Sequence, residues 1–164
     1  MASEESHQIP DEEWNSIVRN VPIVSVDLIV RLEDGVVLGK RQNEPAKGEW
    51  FVPGGTVFKN ECLREAAHRV AKEELGTDIA IDRKLGTYQH FYDTADVETS
   101  DGKHYLATAF VVRPESGQLQ SDEQHAELQV FDPPFPELHP YVDRYLDAAG
   151  VLKRDPAPVE DAYR

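Results

Sequence analysis

The sequence predicts an α/β domain in which helices sandwich a mixed β-sheet, and three observations carry that prediction. The 164 residues fit one domain with a sizeable core. A series of short strand-like segments, bounded by Gly, Pro, Asn and Asp, runs along most of the chain. Two major helical patterns are set around those strands, which is the arrangement of a layered α/β fold. No internal repeat is visible.

Residues 1–10 read as a loosely ordered arm. Residues 11–20 form a short helix with Asp11 as N-cap, ended by Pro22. A strand follows over 23–31. Glu33-Asp34-Gly35 is a turn leading into a second strand over 36–41. Residues 43–48 are a loop, and 50–52 a short strand feeding Pro53-Gly54-Gly55. The next segment is a helix, with Asn60 as its N-cap and Gly76 in the left-handed position just past its end. Longer strands over 85–92 and 104–113 flank a polar stretch, 93–103, expected to be a mobile loop. After a second polar loop, 116–123, comes a last strand over 128–131. Pro-rich 132–136 leads to a closing helix over 141–152. The tail, 153–164, carries Pro156 and Pro158 without periodicity and reads as frayed. The expectation is a single domain, 1–164, whose compact part is 11–152.

The helix before Gly76 contains the first chemical signal. Leu63, Ala66, Ala67, Val70 and Ala71 fall on one apolar stripe at helical period. Glu74 falls at the next step of that stripe. A carboxylate there is paired, hydrogen-bonded or bound to a cation, because an unpaired buried charge is costly; otherwise the helix end has emerged into water.

Around that helix, Gly54-Gly55-Thr56-Val57-Phe58-Lys59-Asn60-Glu61 continues to Arg69-Val70-Ala71-Lys72-Glu73-Glu74-Leu75-Gly76. This resembles the signature box of the Nudix hydrolases, and the resemblance implies a Nudix-type α/β/α sandwich with a mixed sheet. One position departs: an acidic residue usually follows the Arg, and here it is Val70. Further segments look like the GDP-mannose mannosyl hydrolases within that family: 23–30 with Asp27, 38–43 with Arg41, 50–55, 89–93 with His90 and Tyr92, and Asp122-Glu123-Gln124-His125. That subfamily also has an apolar residue at the position of Val70. The likeness runs from Trp14 to Phe131, and its most distinctive element is Gln124-His125.

In the subfamily, water attacks the anomeric carbon of a sugar and the nucleoside diphosphate leaves intact. The resemblance implies one Mg²⁺, with Mn²⁺ as an alternative, held by the Gly54 carbonyl, the Glu74 carboxylate and the Gln124 side-chain oxygen. Hard oxygen ligands suit such an ion. Glu73 leaves a second metal site open. His125 is the general base, since an imidazole with a pKa of about 6.5 is partly free to take a proton at neutral pH; apart from the resemblance it reads as a solvated loop histidine. Arg41 and Arg69 resemble phosphate-side arginines. Arg69 has a second reading, a surface ladder with Glu65 and Glu73 four residues either side. Tyr105 is a donor to a diphosphate oxygen. Asp27 and His90 match positions near the sugar, and Asp27 is unexpected in an apolar strand unless it faces a pocket or a sheet edge. Tyr92 and Trp14 are candidates for sugar or base contact, with aromatic core packing the favoured reading of both. Thr56 stands where the subfamily can carry an arginine, a loss that Lys59 or Arg64 is placed to offset.

A net charge of −14 argues against a general nucleic-acid binder. It fits a protein kept soluble at high salt, where screening weakens self-repulsion. The apolar runs are too short to span a bilayer. The N-terminal residues lack signal-peptide character, and the lone Cys62 fits a reducing cytoplasm. The expected partner is a small-molecule nucleotide sugar, with a homodimer left open. Two other functions stay in view: a pyrophosphohydrolase splitting a P–O–P bridge, and a nucleotide-sugar sensor without turnover.

Overall fold

The computed structural model describes residues 9–97, 101–120 and 127–159. Its elements are α1 (Asp11–Asn20), β1 (Ile23–Leu32), β2 (Gly35–Lys40), β3 (Trp50–Phe51), β4 (Gly54–Thr56), α2 (Leu63–Leu75), β5 (Ile79–Tyr92), β6 (Lys103–Pro114), β7 (Glu127–Phe131) and α3 (Pro140–Ala148). The sheet runs β3-β2-β1-β6-β5, with β4 added to β1 and β7 to β2. β1 and β6 are parallel, in register from Ile23↔Tyr105 to Val30↔Val112, and every other pairing is antiparallel. The sheet is therefore mixed, as expected.

Alternation along the central strands sorts the core into two layers. Val26, Leu28 and Val30 of β1 and Phe110 and Val112 of β6 meet Ala66, Ala67, Val70, Ala71 and Leu75 of α2. On the other face, Ile29, Ala109 and Val111 meet Tyr141, Val142, Tyr145 and Leu146 of α3. The small alanines let α2 lie close against the sheet. Because β1 is covered on both faces it reads as a nearly continuous apolar run. Asp27 interrupts that run, and its odd position puts it on the α3 face with Ile29.

Several elements differ from the sequence expectations. Pro10, not Asp11, is the N-cap of α1. Asn60 does not cap α2; it sits in the left-handed region at φ 69°, which asparagine tolerates, and the helix begins after Cys62. The Glu65 carboxylate accepts from the Cys62 backbone N–H at 3.0 Å, closing a capping box. Gly76 takes the left-handed position at φ 71° as expected. β5 starts at Ile79 rather than 85, because register shifts at Ile81/Arg83 and Lys84/Gly86 break the alternation that marks a strand. At the start of β6, Lys103 is buried and pairs with Asp96 at 2.6 Å, so the 93–103 segment is tied down at that point.

The compact part also extends past 152. Arg154 donates to both oxygens of fully buried Asp143, at 2.5 and 2.9 Å, and to the Pro136 carbonyl at 3.0 Å. The Ala157 N–H adds a bond to Asp143 at 2.9 Å, and Val159 packs on the α3 core. A buried carboxylate draws the chain back onto the helix, which lack of periodicity could not reveal. No helix is long and apolar enough to cross a membrane among the described residues.

Candidate active site

The box helix and its approach are held by one arginine. Arg69 Nε donates to Glu61 at 2.7 Å, Nη1 to Glu73 at 3.1 and 3.2 Å, and Nη2 to Glu61 at 3.0 Å and to the Thr56 carbonyl at 2.7 Å. Its guanidinium also lies 4.5 Å over the Phe58 ring. Burial works against the charged form, but the hydrogen bonds and charges of Glu61 and Glu73 outweigh it and hold the guanidinium above its usual range. In this structure the side chain ties α2 to the loop after β4. The ladder reading is half met: Glu73 is a partner, Glu65 is spent on Cys62, and Glu61 takes its place.

With Glu61 and Glu73 engaged by Arg69, Glu74 is the box carboxylate that reaches a cavity. It lines this cavity with Gly39, Arg41, Pro53, Gly54 and Leu128. Gly54 pairs with Asp27 across the β1–β4 ladder, and a Cβ there would strike the Asp27 carboxylate and lie 2.8 Å from the Val26 carbonyl oxygen. Only glycine lets the chain pass so close. Val70 is buried and fills the space under Gly55, where a Cβ would stand 2.9 Å from its Cγ2. The position where the family usually has an acid is thus a methyl contact between α2 and β4. Among the described residues no group of three or more His, Cys, Asp or Glu could hold a metal. A Gly54 carbonyl and a Glu74 carboxylate at one cavity are hard oxygen donors, a set that fits a hard divalent cation completed by water and phosphate oxygens. Gln124 and His125 lie outside the described residues.

A second cavity adjoins the first and shares Arg41, Phe51, Val52 and Gly54 with it. Asp27, His90, Tyr92 and Tyr105 line it, so residues 27, 41, 54, 90, 92 and 105 meet in one cleft. Arg41 stands between the two ends, its Nε donating to the Pro45 carbonyl at 2.6 Å. Trp14 is not in this cleft. It lines an apolar groove with Ile17, Val24 and Phe58, and its ring lies 5.2 Å from the Lys103 ammonium, which is 5.4 Å from Tyr105.

Burial sets the protonation states at this end. It raises the Asp27 carboxyl to about 6, against the pull of the Tyr145 hydrogen bond and the Arg41 charge. His90 is lowered to about 3, chiefly by burial, then by His139 and Arg144. It is therefore a neutral imidazole at pH 7, stacked on Tyr141 with centroids 4.2 Å apart. Burial, reinforced by Asp27, raises Tyr92 above its usual value and keeps it a hydroxyl donor. Sequence reasoning missed α3 as the support behind this wall. Tyr145 Oη donates to Asp27 Oδ2 at 2.6 Å; Tyr141 Oη donates to the Phe91 carbonyl at 3.0 Å and accepts from the Phe91 N–H at 2.9 Å. A signal existed: a strand carboxylate without a local donor, and a helical tyrosine hydroxyl needing an acceptor once buried.

The comparisons with known proteins agree with this architecture. The NUDIX domain matches residues 21–147, and the chain belongs to the Nudix hydrolase family. It is 63% identical over 147 residues to the low-salt glycan biosynthesis protein Agl8 of Haloferax volcanii, covering 90% of this chain and 94% of that one. It is 31% identical over 111 residues to the ADP-ribose pyrophosphatase of Methanocaldococcus jannaschii, covering 68% of this chain and 62% of that one. The MutT NUDIX hydrolase from Burkholderia pseudomallei superposes with a TM-score of 0.61 at 28% identity, covering 77% and 97% of the two chains.

Proposed function

We propose that this protein is a Mg²⁺-dependent hydrolase of nucleoside diphosphate sugars that releases the hexose from GDP-mannose by attack at the anomeric carbon. The observation that carries the reading is the two-ended cleft. One end offers oxygen donors from Gly54 and Glu74, the other a buried polar wall of Asp27, His90, Tyr92 and Tyr105, and Arg41 stands between them. A diphosphate fits the first end and Arg41, and a sugar fits the second. Val70 in the contact with Gly55 supports a metal end with one box carboxylate, which favours chemistry at carbon over phosphorus.

A bound divalent cation would neutralise charge building on the departing diphosphate. The rest falls to the chain. Arg41 and Tyr105 hold diphosphate oxygens, which lets an anionic substrate approach a protein of charge −14. Neutral His90 and the Tyr92 hydroxyl bond sugar hydroxyls. Above pH 6 the Asp27 carboxylate faces the positive charge that develops at the anomeric carbon. His125, assigned from the sequence resemblance, takes the proton of the attacking water as the C–O electrons pass to the diphosphate. A relative named for glycan biosynthesis fits a sugar-bearing substrate.

The second reading, cleavage of the P–O–P bridge, is favoured by the relative named as an ADP-ribose pyrophosphatase and by the retained Glu61 and Glu73. Hydrolysis of GDP-mannose in ¹⁸O-labelled water separates the two. Label in free mannose, with GDP as co-product, is the expected result; label in a phosphate would establish the second reading.

A further inference from the structure

We infer that Tyr145 is a positioning residue that holds the Asp27 carboxylate in a single orientation facing the sugar end of the cleft. The inference rests on the assignment of Asp27 to the sugar end. Tyr145 is fully buried in α3, and its hydroxyl lies 2.6 Å from Asp27 Oδ2, a contact spanning 118 residues of sequence. Its ring is fixed on two sides by residues of β5: Tyr88 edge-on at 4.9 Å and His90 at 5.4 Å. The phenol therefore has little freedom to leave the carboxylate. On the opposite side, Asp27 Oδ1 crowds Gly54 so closely that no Cβ fits there.

One carboxylate oxygen is thus occupied by a protein donor, and the other lies beside Gly54. An aspartate on a strand ordinarily rotates about its terminal torsion between broad wells. Here the α3 hydroxyl removes that freedom and leaves one oxygen to meet a ligand. The arrangement favours a single directed hydrogen bond or charge contact, and an unheld carboxylate would pay orientational cost on every turnover. Tyr145 lies outside the box and is absent from the lining of the cleft, so it acts through Asp27.

The test is a double-mutant cycle of Tyr145→Phe and Asp27→Asn, read as kcat and KM separately, with the thermal midpoint of each variant. Phenylalanine keeps the ring contacts and removes only the hydroxyl. Tyr145→Phe is expected to lower kcat about 10- to 100-fold, the range for losing a hydrogen bond to a charged group, with KM changed less. In the Asp27→Asn background the same change should add little, the coupling expected when one residue acts through another. An equal loss in both backgrounds, or full kcat in Tyr145→Phe, would overturn the role. If Tyr145→Phe fails to fold, 3-fluorotyrosine at position 145 changes the hydroxyl's acidity without removing the ring, and its effect should vanish with Asp27→Asn. A parent that turns over ADP-ribose but not GDP-mannose would overturn the proposed substrate alone; the cycle is then read on ADP-ribose by the same criteria.

Discussion

At the proposed metal end of the cleft, Glu74 belongs with Glu61, Arg69 and Glu73 to one helix and the turn before it. At the proposed sugar end, Asp27 and Tyr145 meet across 118 residues. The two ends also solve the problem of charge differently. Around α2 two acids are matched on the spot: Arg69 takes Glu61 and Glu73 at 2.7–3.2 Å. At the sugar end the groups are enclosed instead, which moves Asp27 up to about 6 and His90 down to about 3. Pairing holds the Arg69 guanidinium in its charged form and fixes the geometry of the turn before α2. Enclosure shifts ionisation states and keeps groups poised for a ligand, at a cost to the fold.

The largest effect that would sharpen this contrast is at Glu74. If Glu74 holds the cation as proposed, Glu74→Gln should lower turnover by about 10²-fold or more, a larger effect than its change in thermal midpoint. Titrating Mg²⁺ against activity in both proteins checks it, and full activity in a chelator would remove the metal end from the comparison.

Arg69 should behave in the opposite way. Arg69→Met leaves Glu61 and Glu73 facing each other without their shared cation, and should cost about 2 kcal/mol of stability, less than a fully buried pair because both partners retain some exposure. Chemical denaturation measures this. A stability unchanged within error would mean that solvent already screens the pairing.

The smallest effect concerns pH. The folded state holds the Asp27 proton more tightly than the unfolded chain, so that contribution to stability is complete below pH 3.8 and lost as pH rises through about 6. Asp27→Asn cannot ionise, so its thermal midpoint should exceed the parent's by a few degrees at pH 8 and match it near pH 4. His90 has the opposite sign. Burial favours its neutral form, so its contribution is complete above pH 6.5 and is lost as pH falls toward about 3. Asp27→Asn removes the one contribution of Asp27 that opposes this loss, so the variant should lose stability more steeply on acidification than the parent does. Midpoints measured across pH 4–8 decide whether enclosure carries this cost.

The same contrast explains what the sequence could and could not convey. The box helix was legible because its stripe, Glu74 and Gly76 are local in the chain. Its start was misplaced at Asn60 because two short polar residues compete there; Glu65, three residues after Cys62, is the feature that decides it. β4 was not anticipated as a strand, since Gly54 and Gly55 have no strand preference and the ladder comes from β1. Asp27, Arg41, His90, Tyr92 and Tyr105 were named separately, and the cleft that gathers them depends on the parallel pairing of β1 with β6. Tyr145 was silent because an aromatic on an amphipathic helix looks like core, which its ring is; only its hydroxyl departs from that role.

Arg154 and Asp143 make the rear of α3 matter as much as its front. One side of the helix carries the tyrosines that bond to Asp27 and Phe91 behind the cleft wall, and the other is latched to the chain just after it. Proteolytic trimming at Leu152 would strand a wholly enclosed carboxylate and unfasten the helix from behind. A nick between Leu152 and Arg154 would then reach Asp27 through the helix and Tyr145, with no change to any residue that lines the cleft.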